Sequence, residues 1–158
     1  MLNLRDAEWR YAEGRGAVCV ALDDFEGYRR DLQYGLNPFV LRPGEAMSLY
    51  HSEGDQEALL VIAGEATLVV EGEERQLGPW DFVHLPPGTR HALIGAGEGS
   101  CLVLAVGARQ HDELEFPANE AANRHGASVE ADTQDGGIAY ATVPPREPTP
   151  YRDGWLPG

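Results

Sequence analysis

Two polar clusters stand inside otherwise apolar sequence. The first is Tyr50-His51-Ser52-Glu53-Gly54-Asp55-Gln56-Glu57, and the second is His84-Leu85-Pro86-Pro87-Gly88-Thr89-Arg90-His91. Imidazoles and carboxylates gathered this way can hold a divalent cation or move protons near neutral pH. Strand side chains alternate faces, so His51 and Glu53 point to the same side. Glu57 opens the next apolar run after the Gly54 turn and can face them across a hairpin. His91 opens a later run after another tight turn. Two neutral histidines with two ionised carboxylates balance the charge of a divalent cation. Without one, inward carboxylates lose hydration and repel each other. Singly, a His or Glu at a strand end is more often a solvated rim residue. It is the set His51, Glu53, Glu57 and His91 that points to a metal.

Three further residues are candidates for the pocket. Met47 and Leu49 share the parity of His51 and would line its wall. The same apolar lining is what an ordinary barrel core looks like. His84, two residues before Pro86, can face the pocket as an acid or base, or stand as a partly exposed strand histidine. Arg90 and Thr89 sit in the turn before His91, where a solvated charge is the usual role for Arg90.

The elements that must position these residues are short strands. Apolar runs at 39–41, 46–51, 58–63, 66–70, 80–85, 91–94 and 101–106 are separated by Gly, Pro and acidic turns. Strands at this spacing predict a sandwich or barrel. Residues 1–36 read as an N-terminal arm with a first strand at 17–22 and a loop or short helix at 23–35. Residues 37–107 read as the barrel. Residues 108–158 read as a short helix at 119–125, ended by Gly126, and an extended C-terminal arm. The arm holds Pro144, Pro145, Pro148, Pro150 and Pro157, which exclude a regular helix or central strand. Its Tyr151, Trp155 and Leu156 should pack on the barrel or on a second subunit.

Composition narrows the function classes. The 158 residues carry 12 basic and 26 acidic side chains, a formal net charge of -14. That balance excludes a nucleic-acid or anionic-membrane partner, which needs basic patches. Cys19 and Cys101 sit in apolar runs and read as buried thiols. No apolar run reaches membrane length and no signal core opens the chain, so a cytoplasmic location is the expectation.

Residues 44–64 resemble the first motif of the cupin superfamily, in which a glycine precedes a His-x-His pair, a glutamate and a second glycine. Glu57 and Gly64 fit its last interval, and the five-residue gap after Gly44 is kept only if the pair begins at Tyr50. Pro86, Gly88 and His91 fit the second motif. The resemblance implies an all-β fold, a double-stranded β-helix or jelly-roll barrel, usually a homodimer. It also implies one divalent transition metal (Fe, Mn, Ni, Zn or Co) and a small-molecule ligand or substrate. Dioxygenase and isomerase chemistry both belong to that family, as do non-catalytic sensing barrels. The His-x-His pair itself is replaced. One register reads it as His51-x-Glu53, the other as Tyr50-x-Ser52, and a slip of one residue flips every side chain. The first is favoured because it leaves no carboxylate alone in the pocket. Trp80 stands where the family has glycine, and Gly95 where it has asparagine.

Overall fold

The computed structural model describes residues 1–20 and 32–156. Within them the chain is all-β, a double-stranded β-helix of antiparallel strands. The strands are β1 (Trp9–Ala12), β2 (Gly16–Cys19), β3 (Tyr34–Leu41), β4 (Ser52–Glu53), β5 (Glu57–Ala63) and β6 (Glu65–Val70). They continue with β7 (Glu73–Leu77), β8 (Phe82–Leu85), β9 (His91–Ala96), β10 (Cys101–Ala108), β11 (Leu114–Glu115) and β12 (Glu147–Thr149). Two one-turn helices, α1 (Glu120–Asn123) and α2 (Gly136–Ala139), lie between the last two strands.

One sheet runs β12-β1-β2-β3-β10-β5-β8, and a second runs β7-β6-β9. Their inner faces enclose a core of Leu41, Met47, Leu59, Val61, Leu68, Leu93 and Val103. Period-2 alternation selects the strand residues among them: Leu59 and Val61 are fully buried, while Ala58, Leu60 and Ile62, of the opposite parity, are only partly covered. Each buried Leu or Val contributes roughly 1.5–3 kcal/mol. Glu71 and Gly72 both adopt positive φ, the primed turn that joins twisted strands tightly, and connect β6 to β7.

Three elements differ from the sequence reading. β1 lies within what reads as an N-terminal arm: Trp9 is fully buried and pairs with Cys19. β7 replaces a turn; its Glu-Glu-Arg-Gln sequence shows no apolar alternation because it is an exposed edge strand. Residues 46–51, expected as a strand, form only isolated bridges, Ala46 to Ile94 and His51 to His91. Their amides are divided among Gly14, Leu93, Ala127 and His91 carbonyls, so no continuous ladder forms. The loop or helix expected at 23–35 lies largely outside the described residues.

The Pro-rich segment folds back on its own chain. β12 pairs with β1 as the sheet edge, where proline is tolerated. Trp155 and Tyr151 pack on Trp9, with ring centroids 5.1 and 6.3 Å away. Arg146 anchors the segment by donating to the carbonyls of Gly16 and Met47 at 3.3 and 2.9 Å. No described helix is long and apolar enough to cross a membrane.

Candidate metal centre and pocket

The turn at residues 86–90 delivers His91 to the barrel interior. Gly88 takes a φ of 79°, which favours glycine, and its amide donates to the Glu53 carbonyl at 2.8 Å. That bond ties the second polar cluster to the first. His91 is then 2% exposed, beside His51 at 6%. Tyr50, of opposite parity, turns to the apolar cluster beneath α1.

Each imidazole commits one nitrogen to the backbone. His51 Nδ1 lies 2.8 Å from the Leu49 carbonyl, and His91 Nδ1 lies 3.0 Å from that of Thr89. A carbonyl only accepts, so both Nδ1 atoms carry hydrogen. The Nε2 atoms face carboxylates: His51 to Glu53 at 3.3 Å and His91 to Glu57 at 2.9 Å. Among the described residues, no three His, Cys, Asp or Glu side chains stand preassembled as a metal cage. The four form two imidazole–carboxylate pairs, whose rings are 4.6 Å apart at the centroids.

A neutral imidazole bonded this way aims a lone pair at an ionised carboxylate, another pure acceptor. A proton or a metal cation must lie between two such groups. Burial pulls the His91 pKa down, but the Glu57 hydrogen bond and charge outweigh it, and the net shift is upward. Glu53 is lowered, chiefly by its bond to His51 and against its own burial. The donor set of two nitrogens and two carboxylates fits a divalent transition ion, with both Nδ1–H groups held by carbonyls as ligating histidines require.

A cavity of about 690 Å³ opens beside these pairs. Glu53 and Glu57 line it, along with Gly35 and Asn37 of β3 and Ala105 and Gly107 of β10. Register explains the lining: Asn37 lies opposite Ala105, and Gly107 opposite both Gly35 and Glu57. A Cβ on Gly35 would meet the Arg109 guanidinium at 2.8 Å, the mobile end of a long side chain, so this glycine lets the guanidinium lie close against β3. The rim is clamped by Asp55, which accepts from the Gln110 and His111 amides and from His111 Nδ1 at 2.8 Å. That contact raises the His111 pKa and lowers that of Asp55.

Of the seven candidates only Glu53 and Glu57 are among the cavity's lining residues; His51 and His91 stand behind them, and the other three lie elsewhere. His84 is exposed on the outer face of β8, opposite Ala58, because Val83 and Leu85 take the inward parity. Met47 belongs to the closed barrel core. Leu49 packs with Phe116 and Ala139 instead, since residues 46–51 do not alternate as a strand. β4 also pairs with β11 rather than forming a hairpin with β5. Arg90 reaches Glu115 at 3.8 Å on the surface.

Sequence reasoning missed Asn37, Arg109, His111 and Phe116. Phe116 stacks on His51 at 6.0 Å and meets Tyr140 edge-on. The inward parity of Asn37, shared with Phe39 and Leu41, was legible. The others depend on contacts across more than fifty residues and left no local signal.

Residues 38–107 match the sequence profile of the cupin domain. Mannose-1-phosphate guanylyltransferase ManC of Salmonella typhimurium is 29% identical over 66 residues, 42% of this chain. The match spans only 14% of the length of that protein. A provisionally assigned sugar phosphate isomerase of Acidithiobacillus ferrooxidans superposes with a TM-score of 0.55 at 25% identity, covering 67% of this chain and 69% of that one. A cupin 2 domain-containing protein of Halorhodospira halophila gives 0.58 at 19% identity, covering 75% and 81%. Strand order, the Gly88–His91 turn and the profile match together identify the barrel of this chain as a cupin domain.

Proposed function

We propose that this protein is a metal-dependent cupin acting on a small molecule, with His51, Glu53, Glu57 and His91 as the metal ligands. The observation that carries the reading is the pairing of two carbonyl-anchored imidazoles with two carboxylates at one end of a cavity. A divalent ion bound there would act as a Lewis acid on a substrate oxygen. The protein's own part is to fix both Nε2 atoms, hold two carboxylates against them and shield the site with Phe116. Of isomerase and dioxygenase chemistry, the likeness to a sugar phosphate isomerase at 25% identity favours the first. A metal-bound sensing barrel without turnover is the second reading. It is favoured by the outward position of His84, which removes the one imidazole nominated as a separate acid or base.

Metal analysis after metal-supplemented purification tests the centre. Close to one equivalent of a transition ion is expected, and below about 0.2 equivalents would overturn it. Glu57→Gln combined with His91→Ala should abolish occupancy; full retention would mean that other residues hold the ion.

A second copy of the chain is the proposed partner. Phe82, Leu60, Leu104 and Pro38 form one cross-strand row on the outer face of the large sheet. His84, Ala58, Val106 and Leu36 form the next, and neither row contains an Asp, Glu, Lys or Arg. An uncharged face at the open edge of a sheet suits an isologous contact. Leu60→Asp should convert a dimer to a folded monomer in light scattering. A wild-type protein already monomeric at high concentration would refute the contact.

A further inference from the structure

The cavity beside the metal pairs is rich in acceptors and poor in donors. Five carboxylates line it: Glu53, Asp55, Glu57, Asp112 and Glu113. The basic groups lining it are Arg109 and His111, and His111 is bound to Asp55. Even a divalent ion would leave this wall net negative.

A second observation is independent of charge. Asn37 Oδ1, on the β3 wall of the cavity, is buried and has no hydrogen-bond partner among the described residues. A buried carbonyl oxygen without a donor is costly, and a ligand hydroxyl or ammonium would satisfy it.

We propose that the pocket selects a small polyhydroxylated molecule that is cationic or neutral, an amino sugar above all, and rejects phosphate esters, with Asn37 Oδ1 accepting one ligand N–H or O–H. This rests on the reading of the cavity as a small-molecule site. It parts from the phosphate chemistry in the names of similar proteins, because a dianion would enter beside Glu53 and Glu57.

The test is calorimetric titration of metal-supplemented protein with glucosamine, glucose and glucose 6-phosphate, matched probes that differ chiefly in charge. Glucosamine should bind best. The phosphate ester should bind at least about tenfold more weakly, a gap that narrows at high salt. Asn37→Leu should weaken glucosamine about tenfold. Because that variant changes a partly buried residue, Asp112→Asn with Glu113→Gln is the surface control, and it should shrink the discrimination against phosphate. Equal or tighter binding of the phosphate ester overturns the proposal, as does the absence of binding by all three probes at about 50 mM. Metal content measured on the same samples separates the two readings. Charge selectivity in metal-free protein would refute only the metal centre, and preference for phosphate at full occupancy would refute only the ligand class.

Discussion

His51 and His91 face each other through both hydrogen bonds of one antiparallel bridge. The His51 amide donates to the His91 carbonyl at 3.0 Å, and the reverse bond is 2.8 Å. Two residues forty positions apart in sequence are thereby held with their rings 4.6 Å apart. The backbone, not the loops around it, sets the spacing of the two nitrogen donors.

Removing either ring should therefore damage metal binding similarly. His51→Ala and His91→Ala should each lower metal affinity by well over tenfold, and His84→Ala should leave it unchanged. Competitive titration with a chelator measures this. Circular dichroism checks that both variants keep the fold.

Arg146 should matter for stability far from the pocket. Its guanidinium donates to the carbonyls of Arg15, Gly16 and Met47 and lies 5.5 Å from the Phe39 ring centroid. Burial, reinforced by neighbouring Arg15, pushes its pKa down to about 10, so it stays charged at neutral pH. Arg146→Ala leaves those carbonyls without their donor and should cost about 3 kcal/mol in urea unfolding. Arg146→Lys keeps the charge but loses the planar fork and should recover only part of that loss.

Trp80 carries backbone strain. Its φ is 73°, in the left-handed region, and its side chain is 74% exposed. Trp80→Gly gives up little burial and relieves the Cβ clash. A gain of about 1 kcal/mol is expected, reduced somewhat by the greater freedom of glycine in the unfolded chain. A loss on denaturation would show that the indole is held by a contact made in solution.

Glu74 provides the acid-sensitive contact. Bonds from His125 and Arg124 hold its carboxyl below the usual range and tie the residues after α1 to β7. A depressed folded pKa stabilises above the unfolded value and loses that contribution as the pH falls through the folded one. Glu74→Gln should therefore melt lower than wild type at pH 7. The difference should close as the pH drops below about 4. A constant difference at all pH values would exclude the charge as its source.

The two cysteines should be inert in the native state. Cys19 and Cys101 are fully buried thiols outside any disulfide, and burial pushes the Cys101 thiol up to about 11. Neither should react with a thiol reagent at pH 8 until denaturant is added. Rapid native labelling would mean that the barrel opens locally.

The sequence alone determined the repeated short strands, the Gly- and Pro-marked turns between them and the alternation that buries Leu59 and Val61. These follow from local rules: period-2 side-chain direction and the few residues that tolerate turn geometry. It also brought His51, Glu53, Glu57 and His91 into view as a group. It could not choose between the registers, because parity along 46–53 is meaningless until a partner strand is known. The tertiary structure made that choice by bridging His51 to His91 and by dividing the amides of 46–51 among several neighbours. It alone turned His84 outward, placed Phe116 on His51 and joined Asp55 to His111. Those contacts depend on which distant strands pair, and a one-residue change of register would undo each of them.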